Sequence, residues 1–210
     1  MSQSILRKDK SYTFSDYFEL AYPTEDVVAE FGYSYELTKL TLPRAGLDHP
    51  LDQLQAMFYR KLPHISLTSE TARREVMIAP ILMELLDHLD VKLDIEYPVY
   101  VSEQLKGNLD YLVRSEQQFV VVEAKKADME RGFTQLAVEL IAMEQRTEAQ
   151  ELFYGAITVG DVWRFGVLNR RRKVISKDID SFRVPLDLAG LFEVLLGILG
   201  PAPLSAQATV

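Results

Sequence analysis

The chain has 210 residues, 48% hydrophobic and 26% charged, which fits one sizeable globular domain with room for an added lobe. It has no cysteine, and His49, His64 and His88 are scattered, so a disulfide framework, a thiolate metal site and a histidine zinc site are all excluded. The net charge of −8 argues mildly against a nucleic-acid binder. Charge can be local, however, and 170-RRRK with Arg164 forms one concentrated cationic segment.

The N-terminal MSQSILRKDKSY lacks the apolar region of a signal peptide. The longest apolar stretch, AGLFEVLLGILG at 189–200, carries Glu193 and is too short to span a bilayer. These absences predict a soluble, cytoplasmic protein. Residues 1–67 are rich in Tyr and Phe and punctuated by Pro23, Pro43, Pro50 and Pro63, which reads as an N-terminal extension with short helices packed on a main domain. Ser15-Asp16 looks like a helix start.

From residue 68 the periodicities sharpen. In SETARREVMIAPILMELLDHL (69–89), Ser69 is an N-cap and Ile78, Leu82, Leu85 and Leu89 recur at helical spacing, with Pro80 bending the helix. VKLDIEYPVYV (91–101) alternates, with Val91, Leu93, Ile95, Tyr97, Val99 and Val101 on one side; Pro98 puts this strand at an edge or a bulge. NLDYLVR (108–114) is a second strand, and the SEQQ turn leads into a third, FVVVEAKK (119–126). A helix over about 128–145 follows, with Met129, Phe133, Leu136, Leu140 and Met143 on one stripe. Two more strands (152–159 and 162–168), a last helix near 186–198, and a disordered tail (201–210) complete the chain. This order predicts an α/β domain over 68–200, a mixed sheet flanked by helices.

The third strand poses a question, because an apolar run that belongs inside a protein ends in Glu123, Ala124, Lys125 and Lys126. Alternate residues of a strand share a face, so Glu123 and Lys125 point one way, Ala124 and Lys126 the other. A hairpin centred near 116–117 pairs Asp110 directly with Glu123, with Cβ atoms roughly 5 Å apart. Like charges so placed destabilise a sheet. A divalent cation between them removes the conflict, and a few hard oxygen ligands completed by water suit Mg²⁺. Lys125 is then placed to polarise a water or stabilise developing negative charge. The competing reading is a strand end emerging into solvent with an ordinary ion pair.

Asp110, twelve intervening residues and Glu123-Ala124-Lys125, on the second and third strands of an αβββαβ order, resemble the PD-(D/E)XK nuclease superfamily, the restriction-endonuclease-like proteins. The resemblance spans roughly residues 69–168. One departure is that Asn108-Leu109 replaces the Pro that often precedes the Asp in such proteins. The resemblance implies a metal-dependent hydrolase of phosphodiesters, with Asp110 and Glu123 holding Mg²⁺ (Mn²⁺ substituting) and the Ala124 carbonyl as a further ligand. It implies DNA rather than RNA as the nucleic-acid partner, and duplex cutting makes a homodimer plausible. Members often contribute a glutamate from the first helix. At about 100° per residue, Glu75 falls within the stripe of Ile78, Leu82, Leu85 and Leu89 and faces inward, Glu84 lies opposite, and Glu70 is a quarter-turn off. Glu75 is therefore the choice, to orient water or a second ion, with a salt bridge to Arg73, Arg74 or a neighbouring strand as the plain alternative. The helix after the third strand often carries a further polar residue, a role that Gln135 matches by position although it is off the apolar stripe. Two rival readings stand beside the nuclease: a nuclease-fold binding or regulatory module without turnover, and a domain whose charges are a surface ion cluster.

Overall fold

The computed structural model describes residues 5–7, 9–116, 118–125, 127–148 and 150–201. Strands β2 (Lys92–Ser102), β3 (Leu105–Arg114) and β4 (Phe119–Ala124) form an antiparallel meander. Helix α6 (Met129–Arg146) then crosses over to β5 (Leu152–Thr158), which pairs parallel to β4. β6 (Val162–Asn169) and β7 (Val174–Asp178) extend the sheet antiparallel. A strand from the N-terminal region, β1 (Ser34–Thr38), joins the far edge parallel to β7, and the short β8 (Phe182–Arg183) pairs with β6. The result is a mixed, open sheet in the order β1-β7-β6-β5-β4-β3-β2, flanked by helices. β2, with Pro98, is an edge strand as the sequence indicated.

Three strands went unread in the sequence. β1 is five residues long with one β-branched side chain, and β7 buries Lys177 and Asp178, so neither shows a hydrophobic alternation; β8 has only two residues. The 1–67 segment therefore supplies a strand of the main sheet as well as helices α1 (Phe14–Glu19), α2 (Thr24–Ala29) and α3 (Asp52–Lys61). The tail reading falls on residues that, apart from Pro201, lie outside the described set.

Helices cover both faces of the sheet, which explains the FVVV run. Val120, Val122 and Ala124 of β4 join one core with α3 (Leu54, Phe58), α5 (Ala79–His88; Ile81, Leu82, Leu85) and α7 (Leu188–Leu199; Leu191, Phe192, Leu195). Phe119 and Val121 join the other, with α1 (Phe14, Tyr17), α2 (Val27, Val28) and α6. A strand buried on both sides has no polar alternation.

The single-sided alternation read for β2 is not what the chain adopts. Val91 and Leu93 pack in the first core, Tyr97, Val99 and Val101 in the second, and Ile95 is exposed. Glu96, between them, has a left-handed backbone (φ 52°), and the ladder passes from Ile95↔Tyr111 to Tyr97↔Leu109 across it. That reversal turns the outer half of the hairpin onto the opposite core, and Asp110 stands in β3 at this point.

The helical segment of residues 70–88 is also less regular than its sequence. α4 (Glu70–Arg73) is capped by Ser69, whose hydroxyl accepts from the Ala72 N–H at 3.0 Å. A wide π-type turn (Arg74–Ile78) follows, in which the Ala79 N–H reaches back to the Arg74 carbonyl, and α5 begins beyond it with Pro80 in its first turn. Pro80 has no N–H to give, and the wide turn lets the helix continue past it.

Candidate functional site

The β3–β4 ladder ends at Tyr111↔Val122, and its register places Asp110 opposite Glu123 one step further on, as the hairpin reading required. Glu123 is fully buried, so the strand does not emerge into solvent there. Its Oε1 accepts a hydrogen bond from Gln135 Nε2 at 2.6 Å and pairs closely with the Lys125 ammonium. Asp110 Oδ2 accepts the Ala124 N–H at 2.8 Å, which ties the two strand ends together. Asp110, Glu123, Lys125 and Gln135 all line one cleft of ≈ 340 Å³ with Glu70 and the start of α1. Ala124 turns its side chain into the first core. Lys126 lies outside the described residues.

Two placements differ from the sequence reading. Glu75 is exposed and lines no part of this cleft, whereas Glu70 does. The helical phase carried back from Ile78 assumed uniform α-helix; the π-type turn over Arg74–Ile78 breaks it just where Glu75 sits. Gln135, off the apolar stripe, is nonetheless buried, because α6 is buried on every side from Gly132 to Glu144.

Sequence reasoning missed Glu139. It lies one turn beyond Gln135 on α6, is fully buried, and accepts Gln135 Nε2 at 2.9 Å. Residues four apart share a helix face, so the Gln135/Glu139 spacing was the available signal. Glu123 Oε2 and Glu139 Oε2 are both buried without a donor among the described residues. Burial first, and then the charge of Glu123, hold the Glu139 carboxyl far above the usual carboxylate range. Burial and then the Asp110 charge push Glu123 up to about 8, against the pull of Lys125. Burial works against the Lys125 ammonium, but Glu123, Asp110 and Glu70 outweigh it and hold its pKa above the ordinary value.

Arg74, from the π-type turn, approaches Asp110 Oδ1 at 3.5 Å and Glu96 Oε1 at 3.4 Å, with its guanidinium 5.2 Å from the Tyr111 ring centroid. The 170-RRRK segment is the β6–β7 turn. Arg170 donates to the carbonyls of Glu148 (2.8 Å) and Gln150 (2.7 Å), to those of Glu144 and Thr147, and to Glu144 Oε1 (3.0 Å), so it clamps the C-terminal end of α6. Arg171, Arg172 and Lys173 pair with Glu151, Glu36 and Glu144.

Among the described residues no group of three or more His, Asp or Glu side chains is placed to hold a metal ion. No helix among them is long and apolar enough to cross a membrane. No protein-family model, no curated protein and no solved structure matches this chain.

Proposed function

We propose that the chain is a metal-dependent nuclease that hydrolyses phosphodiester bonds, with DNA as its substrate class, on a restriction-endonuclease-like core. The observation that carries this reading is the buried Glu123 carboxylate. One of its oxygens has no donor among the described residues, an acidic neighbour stands across the strand, and a lysine lies against it, all on one open cleft. Burying such a pair of carboxyl groups is costly, and a cation between them removes the cost. Mg²⁺ suits the donor set, since it needs only one or two carboxylates and keeps its waters. Asp110 and Glu123, with the Ala124 carbonyl, would hold it, and Mn²⁺ would substitute. When bound, such an ion supplies Lewis-acid chemistry, neutralising phosphate charge and activating water.

The chain's own residues set the rest. Gln135 holds Glu123 Oε1 and so leaves Oε2 for an ion. The Ala124 N–H fixes the rotamer of Asp110. Lys125, kept charged by Glu123, donates to a non-bridging phosphate oxygen as negative charge grows on it. Glu70, on the cleft wall where Glu75 was expected, is the helix carboxylate within reach of an incoming water.

The test is incubation with Mg²⁺ or Mn²⁺ and single-stranded, duplex or branched DNA, and with RNA. Metal-dependent cleavage is expected, falling by about a hundredfold or more in Lys125→Ala. Cleavage of none of these, or a Lys125→Ala variant as active as the parent, overturns the reading. One observation favours a silent binding module instead: Arg74 already neutralises Asp110. That reading expects metal and nucleic-acid binding without products.

A further inference from the structure

Beside the cleft that holds Asp110 and Glu123 lies a second hollow of ≈ 370 Å³, and the two share Ser15, Glu70, Lys125 and Gln135. One wall is Phe18 of α1, half-buried, with Lys125 Nζ over one face of its ring at 5.3 Å from the centroid. This wall is built in. Tyr17 is fully buried and its hydroxyl donates to the Gln104 carbonyl at 2.6 Å, while Thr13 bridges to Lys106. Gly107 leaves room for α1, since a Cβ there would stand 2.9 Å from the Phe14 ring. Phe18 is thus held by a fixed helix at the edge of the site.

The polar atoms around this hollow are sorted by kind. Glu19 and Glu70 are acceptors, Asp128 already accepts the Arg131 N–H and pairs with its guanidinium, and Lys125, on the shared boundary, is the one cation of the lining among the described residues. Gln135 is 4% exposed, and its buried Oε1 has no hydrogen-bond partner among the described residues. A phosphate would be repelled by such a lining. A flat, uncharged ring carrying N–H donors fits it, stacking on Phe18 and donating to the acceptors, and the volume lies within the range of small-molecule sites.

We infer that the second hollow receives one unpaired nucleobase of the substrate, stacked on Phe18, while its phosphate lies on Lys125 in the first. This rests on the nuclease reading and deepens it: the substrate is a single strand or a nucleotide turned out of a duplex, because a paired and stacked base presents neither its face nor its donors.

Trp163, the chain's single tryptophan, is fully buried, so Phe18→Trp adds a second fluorophore at the hollow, with the parent chain as the blank for Trp163. The full-length variant is titrated, with Ca²⁺ as the divalent ion and gels to check for products, against a single-stranded oligodeoxynucleotide, the matching oligoribonucleotide and the blunt duplex. Quenching by single strands and little by the duplex is expected. Phe18→Ala should weaken single-strand binding about tenfold and Phe18→Tyr should retain it, both with parental melting curves. Equal quenching by duplex, no quenching by any nucleic acid, or an alanine variant within twofold of the parent overturns the inference. The two readings fail separately. An unaltered Phe18→Ala affinity alongside cleavage that needs Lys125 sinks the stacking site alone, whereas quenching without metal-dependent cleavage sinks the nuclease alone.

Discussion

Glu139→Gln should stabilise the metal-free protein, and by an amount that depends on pH. Glu139 is fully buried beside a second buried carboxyl group, and its pKa is raised by burial first and then by Glu123. A carboxyl group whose folded pKa lies above its unfolded value binds more protons folded than unfolded, so stability falls as pH rises between the two. For Glu123 that window runs from 4.5 to about 8, at up to about 1.4 kcal/mol per pH unit. Glutamine at 139 does not titrate. Its carbonyl still accepts from Gln135, and its amide can donate to Glu123 Oε2, which has no donor among the described residues. Removing one member of the buried pair should therefore change little near pH 5 and add about 1–3 kcal/mol near pH 8, the cost of one buried, unsatisfied polar group. For a chain of this length each kcal/mol raises Tm by roughly 2–4 °C. Thermal melts from pH 5 to 8 in EDTA, followed by circular dichroism, make the comparison. A variant less stable than the parent across the range, or a difference that does not grow with pH, refutes the coupling of the two carboxyl groups.

Two further outcomes follow from packing. Arg170→Ala strips the hydrogen bonds from the Glu144 and Thr147 carbonyls at the end of α6 and from those of Glu148 and Gln150 beyond it, and should lower stability by about 2–4 kcal/mol in urea unfolding, with Arg170→Lys a partial rescue at best. Gly166→Ala would place a Cβ 2.6 Å from Phe133 Cε2, beneath α6, and should cost about 1–3 kcal/mol by the same assay.

Much of the site was legible because strand periodicity is short-range. The FVVV run, the turn near 116–117 and the two-residue alternation together put Asp110 opposite Glu123 and Lys125 beside it. Three features were not legible, each because the regular geometry assumed was locally broken. Glu75 was placed by a uniform helical phase that the π-type turn interrupts. The alternation of β2 was carried through Glu96, whose left-handed backbone reverses it. Glu139 was not singled out because an amphipathic stripe implies one wet face, and α6 has none from Gly132 to Glu144 once α1 and α2 cover its outer side. β1 and β7 were missed because pairing across long sequence separations leaves no local pattern in so short a strand.

In the proposed nuclease, Asp110 and Glu123 would share one divalent ion. Calorimetric titration of Mn²⁺ into the parent chain and into Asp110→Asn tests this most directly. One ion per chain is expected for the parent, with protons released because burial and the Asp110 charge raise the pKa of Glu123 to about 8 when metal-free, and affinity reduced at least tenfold in the variant. Absence of binding at millimolar Mn²⁺, or an isotherm that Asp110→Asn leaves unchanged, would contradict it.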